Sequence, residues 1–185
     1  ISNNHNLAVS GGSDNSNYRV SANYRELQGF AKENGRKEYG IRASLTQKGF
    51  QDKLQAQFNV STNFNNANLL GGGGWENVLT KNPTESYFNP DGSYAFTRTI
   101  TNELARLEQE RYGVQQQTTS VDGKLDFEVL KDLKLSAFFA AQRNNRIWSE
   151  YRDKASQNSV ENGDAPSGGY AAKTTELNQN INFEP

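Results

Sequence analysis

One stretch of the sequence alternates apolar and polar side chains residue by residue, from Leu54 to Phe64, and this pattern constrains the fold more than any other feature. Residues two apart on a β-strand share a face. One face of this strand therefore carries Leu54, Ala56, Phe58, Val60 and Phe64, and the other carries Gln55, Gln57, Asn59, Ser61 and Asn63. Such a strand separates an apolar phase from water, either in a soluble sheet or in the wall of a membrane barrel.

The same alternation recurs along the chain and predicts an all-β fold, an antiparallel up-and-down meander of about seven strands in a single partial domain, residues 1–185. The predicted strands lie at about 5–10, 17–28, 37–48, 53–65, 116–129, 133–148 and 171–183. Short turns follow the first, third and fifth strands. Two long loops, at about 66–114 and 151–169, follow the fourth and sixth, and the second connection is moderately long. Short turns on one side and long loops on the other are typical of outer-membrane barrels.

The composition fits a conventional hydrophobic core poorly. Only 34% of the 185 residues are hydrophobic, 23 are Asn, and the mean hydropathy is −0.88. Barrel strands need only about 9–11 residues each, half of which face water, so low hydropathy is what a barrel shows. Bacterial single-chain barrels have an even number of strands. Since seven strands are predicted and no Met stands at position 1, we expect the chain to be a piece of a larger barrel.

Several kinds of chemistry are disfavoured by the residues present. There is no cysteine, a single histidine (His5) and a net charge of −1, so the sequence predicts no metal site, no cofactor, no catalytic triad and no nucleic-acid partner. The carboxylates Asp122, Asp126 and Glu128 share one strand face with Lys124, which suits a hydrated wall better than acid–base catalysis. The glycines at 71–74 lack a following Lys-Ser/Thr pair and predict a flexible loop.

The first long loop contains one predicted helix, at about Asn102–Arg111. Asn102 is a favoured N-cap, Arg106 and Glu110 could pair at i,i+4 spacing, and Gly113 could end the helix.

Aromatic side chains in or beside the long loops are the candidate binding residues. They are Trp75, Tyr87, Tyr94, Trp148 and Tyr151. Flat rings next to Asn and Arg side chains could stack on sugars or hold a peptide. The alternative is that they pack the loops against one another or against a lid protein.

Several motifs, taken in order, resemble the SusC/RagA family of TonB-dependent outer-membrane transporters. The opening His5-Asn6-Leu7-Ala8-Val9-Ser10-Gly11-Gly12-Ser13, with Tyr18-Arg19-Val20-Ser21, resembles the first barrel strands of that family. The loop Asn89-Pro90-Asp91-Gly92-Ser93-Tyr94 is similar to a loop motif of the family. The segment Asn102–Glu108 is similar to the one before its next hairpin, although the family often has proline where Glu103 stands.

This resemblance implies a part, without plug, of a 22-stranded barrel in the bacterial outer membrane. It also implies import of glycans or peptides with a SusD-like surface lipoprotein, contact with outer-membrane lipid, and energy coupling to TonB through parts outside these residues. No enzymatic activity is implied. The main alternative is a soluble all-β binding or adhesion module whose sheet covers a core, and a secreted β-structured enzyme domain is a second.

Overall fold

The computed structural model describes residues 1–71, 74–97 and 100–185. The strands are β1 (Ser2–Ser13), β2 (Ser16–Gln28), β3 (Gly35–Gly49), β4 (Leu54–Leu69), β5 (Glu110–Leu130), β6 (Leu133–Asp153) and β7 (Gly169–Glu184). The helices are α1 (Gly74–Thr80), α2 (Glu103–Gln109) and α3 (Gln157–Asn162), with a 3-10 turn at Ala165–Ser167. None of the helices in these ranges is both long and apolar enough to cross a membrane.

The described strands form one antiparallel sheet in the order β1-β2-β3-β4-β5-β6-β7, so each strand pairs with its neighbours in sequence. The predicted meander of seven strands is therefore confirmed. The short turns hold two residues after β1, four after β3 and two after β5, and the other connections are longer. The turn after β3 is tight, and Phe50, Gln51 and Asp52 all adopt positive φ angles of 52–66° there.

Most strands extend further than their apolar–polar alternation. β1 includes Gly11–Ser13, which the sequence predicts to be a turn, and β5 begins at Glu110 rather than near residue 116. The predicted loops consequently shrink to residues 70–109 and 154–168. Backbone pairing with a neighbour extends these strands through the Gln115–Gln117 run, where side-chain alternation gives no signal.

The sheet has an apolar face and a polar face. Cross-strand register places Leu45 beside Phe58, and Val60 between Ala43 and Val121. The apolar face is the one carrying these residues, and the polar face is the opposite one. Large apolar side chains on the apolar face are exposed, for example Leu7 at 71% and Ile181 at 76%. Ala105 and Val114 are the only buried hydrophobic residues in the described ranges. A single sheet layer therefore leaves its apolar face uncovered.

The apolar face has a measurable height and an aromatic upper edge. Ten residues separate Leu54 from Phe64, which is about 33 Å along the strand and about 23 Å across a layer at a tilt of ~45°. His5, Tyr24 and Tyr39 extend the row of Phe64 across neighbouring strands, with ring centroids 6.2 and 5.1 Å apart. The apolar band of outer-membrane barrels is about 25 Å tall and flanked by aromatic residues. His5 is thus part of this aromatic row.

Two hydroxyl groups on the apolar face satisfy each other. Thr62 and Thr119 are register partners, and their Oγ1 atoms lie 3.1 Å apart. An unpaired hydroxyl in an apolar layer is costly, so this hydrogen bond makes both threonines compatible with such surroundings.

Candidate functional site

The two long loops meet above one end of the sheet and form what we call the loop platform, residues 74–97, 100–110 and 154–168, of which Glu110 is also the first residue of β5. Its interior is polar. Among the described residues, the buried side chains here are mostly amides, hydroxyls and charged groups: Lys81, Asn102, Glu103, Arg106, Glu110, Ser156, Gln157 and Ser159. Buried polar groups are costly unless they are hydrogen-bonded. The hydrogen bonds between these side chains therefore decide whether the loops hold one shape.

Asn102 lies at the centre of the loop platform and is only 1% exposed. Its Oδ1 accepts from the backbone N–H of Ala105, 3.2 Å away, and so caps α2. Its Nδ2 donates to the backbone carbonyls of Tyr87 and Ala95, at 2.8 and 2.9 Å. One amide thus closes the hairpin at 87–95 against the start of α2.

Gln157 connects the second long loop to the first. Its Oε1 accepts from the backbone N–H of Asn102 at 3.3 Å, and its Nε2 donates to the carbonyl of Thr97 at 2.8 Å. Gln157 is the first residue of α3, whose N-cap Ser156 accepts from the N–H of Ser159. The position of α3 therefore depends on its cap and on contacts with residues 55–60 positions earlier.

A buried ion pair within α2 holds the carboxylate that α1 contacts. The guanidinium of Arg106 contacts Glu103 Oε2 through Nε at 2.7 Å and Nη2 at 2.6 Å, and Asn77 Nδ2 donates to Glu103 Oε1 at 2.6 Å. Gly71 is needed beside this pair, because a Cβ there would lie 2.2 Å from Arg106 Nη1 and 2.5 Å from the Tyr112 ring.

The start of β5 is held by Glu110. Its carboxylate accepts from Asn158 Nδ2 at 3.0 and 3.1 Å and from the Tyr112 hydroxyl at 2.8 Å. Burial, together with the negative charge of this carboxylate, raises the pKa of Tyr112 well above its ordinary value. The phenol therefore stays protonated and remains a donor to Glu110.

The predicted helix needs two corrections. Asn102 is the N-cap as predicted, but α2 ends at Gln109 and passes directly into β5, so Gly113 lies within a strand. The predicted Arg106–Glu110 pair is wrong. Arg106 instead pairs with Glu103 at i,i+3, because Glu110 is already in extended backbone and faces Asn158.

The β2–β3 loop reaches the loop platform through an exposed cluster. Lys32 Nζ lies 2.7 Å from Glu108 Oε1, and Tyr94 donates its hydroxyl to Glu108 Oε2 at 2.5 Å. Tyr94 also stacks on Phe88 across the hairpin, at 5.2 Å between ring centroids. The ammonium of Lys32, with the Tyr94 hydroxyl second, lowers the pKa of Glu108, and Glu108 raises the pKa of Lys32.

The pH dependence of this cluster follows from those directions. A lowered Glu108 pKa means that its contribution is full above the ordinary value of 4.5 and is lost as pH falls through the folded-state value. A raised Lys32 pKa means that its contribution is full below 10.5 and is lost as pH rises further. We expect a spin label at Ala31→Cys to be immobilised at pH 7 and to become mobile as the pH falls through the lowered pKa of Glu108. Glu108→Gln should give the mobile spectrum at pH 7, whereas Glu33→Gln, the matched control, should not; equal spectra for the two variants would contradict the contact.

A groove of about 430 Å³ lies between the β2–β3 loop and α2. Its lining includes Lys32, Leu70, Leu107, Glu108 and Arg111. Its lining combines charges of both signs with leucine side chains. The groove therefore presents neither a uniform electrostatic field nor an apolar pocket.

The structure does not bring the five candidate aromatic residues together. Trp75 lies on α1, and the Lys81 ammonium lies 5.1 Å from the Tyr87 ring centroid. Tyr94 contacts Glu108, as described above. Trp148 and Tyr151 are three residues apart on β6 and therefore on opposite faces. Trp148 lies on the polar face, with the Arg146 guanidinium 5.1 Å from its ring centroid.

The polar face of β4, β5 and β6 is a network of hydrogen bonds between neighbouring strands. Asn59 donates to Asp122 at 2.7 Å, and Ser136 donates to Asp126 at 2.6 Å. Nearer the loop platform, the Asn144 side chain accepts hydrogen bonds from both Gln116 and Thr118. Lys124 also pairs with Asp126 at 3.1 Å. Asp122 and Asp126 thus have amide, hydroxyl and ammonium partners, which suits a hydrated wall.

Sequence reasoning missed most of the loop platform. The sequence predicts Asn102 as a helix cap. It gives no sign of the hydrogen bonds from Asn102 to Tyr87 and Ala95 or of its link to Gln157, because these bonds join separate segments of the chain. The only local signal for Gln157 is the Ser156 cap of α3. Of the glycine run predicted to be flexible, residues 72 and 73 lie outside the described residues, and Gly74 begins α1.

Two curated proteins are similar to this chain, and both are TonB-dependent receptors. No family model matches the chain. A TonB-dependent receptor of Formosa agariphila is 34% identical over 89 residues, which cover 48% of this chain and 9% of that receptor. The TonB-dependent receptor SusC of Bacteroides thetaiotaomicron is 26% identical over 169 residues, which cover 74% of this chain and 16% of that receptor. The chain thus spans a small part of the length of its curated relatives.

A solved structure shares the fold over nearly the whole chain. The RagAB peptide importer in its closed-closed state matches with a TM-score of 0.68 and 19% sequence identity, over 97% of this chain and 21% of that chain. At this identity the match establishes the fold: seven strands that form part of a larger barrel. Together with the two receptors, it confirms the resemblance that the ordered sequence motifs predict.

Proposed function

We propose that this chain, which resembles the SusC/RagA family of TonB-dependent transporters in sequence and fold, forms seven consecutive strands of an importer barrel in the bacterial outer membrane. The apolar face contacts lipid, and the polar face lines the lumen. The long loops lie on the cell surface, as in other barrels of this kind. The chain contributes wall and loops, and no catalytic step is assigned to it.

The observation that carries this proposal is the single sheet layer with two chemically different faces. Large side chains such as Leu7, Ile41 and Ile181 are exposed on one face, at 71%, 56% and 76%. The other face carries the hydrogen-bonded amides, hydroxyls and carboxylates of β4 to β6. A solvent that is apolar on one side and aqueous on the other stabilises such a sheet.

The outermost strands support a larger assembly. In the described residues β1 pairs only with β2, and β7 only with β6. An exposed strand edge presents unpaired backbone groups, which cannot be left in lipid. Further strands of the same barrel, beyond β1 and β7, would satisfy them.

A soluble binding or adhesion module is the weaker alternative. A soluble sheet buries its apolar face against a second sheet or against helices. Here α1, α2 and α3 lie at the long-loop end, where the buried side chains of the helices, apart from Ala105, are polar. They leave Phe58 and Val20 about half exposed.

The substrate and partners follow from the relatives. The matched structure is described as a peptide importer, and one curated relative is SusC. We therefore infer that the complete protein imports glycans or peptides with a SusD-like surface lipoprotein and takes energy from TonB through segments outside this chain.

Among the candidate aromatic residues, Trp148 faces the lumen and is placed to contact substrate. Trp75, Tyr87 and Tyr94 belong to the loop platform, where substrate or the lipoprotein would meet them, and Tyr151 faces outward.

Fractionation and growth test this function. We expect the complete protein that contains this chain to sediment with outer membranes and to migrate as a compact band in SDS gels unless it is boiled. Deleting its gene should abolish growth on at least one polymeric glycan or peptide mixture in a panel of sole nutrients. Recovery of the unheated protein from the soluble fraction would contradict the barrel, and unchanged growth on every nutrient of the panel would contradict import.

A further inference from the structure

Arg143 lies directly above the unbroken apolar run on the apolar face of β6. Below it on the same face lie Leu133, Leu135, Ala137, Phe139 and Ala141. Its register partners are Thr119 on β5 and Gln179 on β7, which place a hydroxyl and an amide on either side of the guanidinium. The Arg143 side chain is exposed. It stands about 7 Å along the strand above Ala141, at roughly 3.3 Å per residue, so its long side chain can reach upward past the end of this apolar run.

A second cation stands higher on the same face. Lys173 on β7 is the register partner of Ser149, which lies six residues beyond Arg143 on β6. Six residues span about 20 Å along a strand, or about 14 Å of height at a tilt of ~45°. Both residues lie on strands that continue well past the apolar band, because β6 holds 21 residues and a membrane crossing needs only about 9–11.

The surroundings of these two cations contain no competing carboxylate. In the described residues neither Arg143 nor Lys173 forms an ion pair. The side chains between their levels on the same face of β6 and β7 are neutral: Asn145, Ile147, Ser149, Thr175, Leu177 and Gln179. Arg111 lies higher on this face of β5, but it lines the groove that Glu108 and Glu110 also line. Arg143 and Lys173 are therefore available to an anion outside the chain.

We propose that Arg143 and Lys173 bind the anionic groups of an outer-leaflet lipopolysaccharide, with Arg143 on a lipid A phosphate and Lys173 on a phosphate of the core sugars. This inference rests on the proposed function, because it needs the apolar face in lipid and the long loops outside the cell. A guanidinium donates several N–H hydrogen bonds to phosphate oxygens, and the Gln179 amide, in register with Arg143, can add another. The height difference of about 14 Å favours lipopolysaccharide over a phospholipid, whose phosphate lies at one depth.

Retention of lipopolysaccharide by the purified complete protein tests the proposal. Arg143→Gln/Lys173→Gln removes both charges from the apolar-face side. Arg19→Gln/Arg42→Gln is the matched control, since it removes two cations from the polar face of β2 and β3. Native mass spectrometry after detergent extraction should show at least a tenfold loss of bound lipopolysaccharide in the first variant and none in the control.

Rebinding of defined lipids identifies the ligand. The wild-type protein should bind intact lipopolysaccharide more tightly than its phosphatase-treated form, and the Arg143→Gln/Lys173→Gln variant should bind the two forms equally. Equal retention by that variant and the control would overturn the proposal, and so would equal competition by phosphatidylglycerol. Both variants must be recovered from the outer membrane, and failure of the wild type to appear there contradicts the proposed function instead.

Discussion

A positive charge at Val60 should destabilise the folded barrel by about 2–4 kcal/mol. Val60 lies in the middle of the apolar face of β4, between Ala43 and Val121. If this face contacts lipid, Val60→Arg puts a guanidinium near the middle of the apolar layer, where its desolvation is least compensated. Urea titration of the complete protein in lipid vesicles, followed by its mobility in unboiled gels, measures the free energy of unfolding.

Ser61→Arg is the control for this experiment. Ser61 is the next residue of β4, on the polar face, between Arg42 and Ser120. We expect it to change the free energy of unfolding by less than about 1 kcal/mol, because an arginine in the lumen remains hydrated. Equal effects of the two substitutions would mean that the two faces of β4 meet the same solvent.

Removing the Asn102 side chain should release the loop platform while leaving the barrel strands intact. Asn102→Ala deletes the cap of α2 and leaves the buried carbonyls of Tyr87 and Ala95 without their donor. A lost cap costs about 1 kcal/mol, and each unsatisfied buried group costs about 1–3 kcal/mol. The lost cap and the two unsatisfied carbonyls together remove most of the contacts that hold the hairpin against α2. We therefore expect local unfolding of residues 84–97.

Hydrogen exchange measures this local unfolding. Amide protection in residues 84–97 and 102–109 should fall at least a hundredfold, which corresponds to about 2.7 kcal/mol, and protection in β3 and β4 should not change. Asn82→Ala is the control in the same loop: the Asn82 side chain is exposed and, among the described residues, accepts hydrogen bonds only from Thr84. Full protection of residues 84–97 in Asn102→Ala would show that other contacts hold the hairpin.

The link between the two long loops gives a sharper version of the same test. Gln157→Ala should lower protection in α3 and also near Thr97 and Asn102, although those residues are some 55–60 positions away. In a double-mutant cycle, Asn102→Ala and Gln157→Ala should be non-additive, because the two residues share one network.

The sheet could be predicted because its information is local. Alternation within each strand assigns Phe58 to one face and Asn59 to the other without knowledge of any partner, and the pairing order follows from short turns. The loop platform could not be predicted, because Asn102, Gln157 and Glu110 are buried by contacts between distant segments. Composition suggests that such polar side chains lie in solvent. The Arg106–Glu110 error has the same origin, since helical spacing does not show where a helix gives way to a strand.

The solvent that each face of β4 meets is the central claim, and spin labels at consecutive positions from Ala56 to Phe64 test it most directly. With the complete protein in lipid vesicles, collision with oxygen should be high at Phe58, Val60 and Phe64, and collision with a water-soluble nickel chelate should be high at Asn59, Ser61 and Asn63. The account predicts that the two accessibilities alternate with a period of two residues and in opposite phase. High chelate accessibility at Phe58 and Val60, or the absence of any alternation, would contradict it.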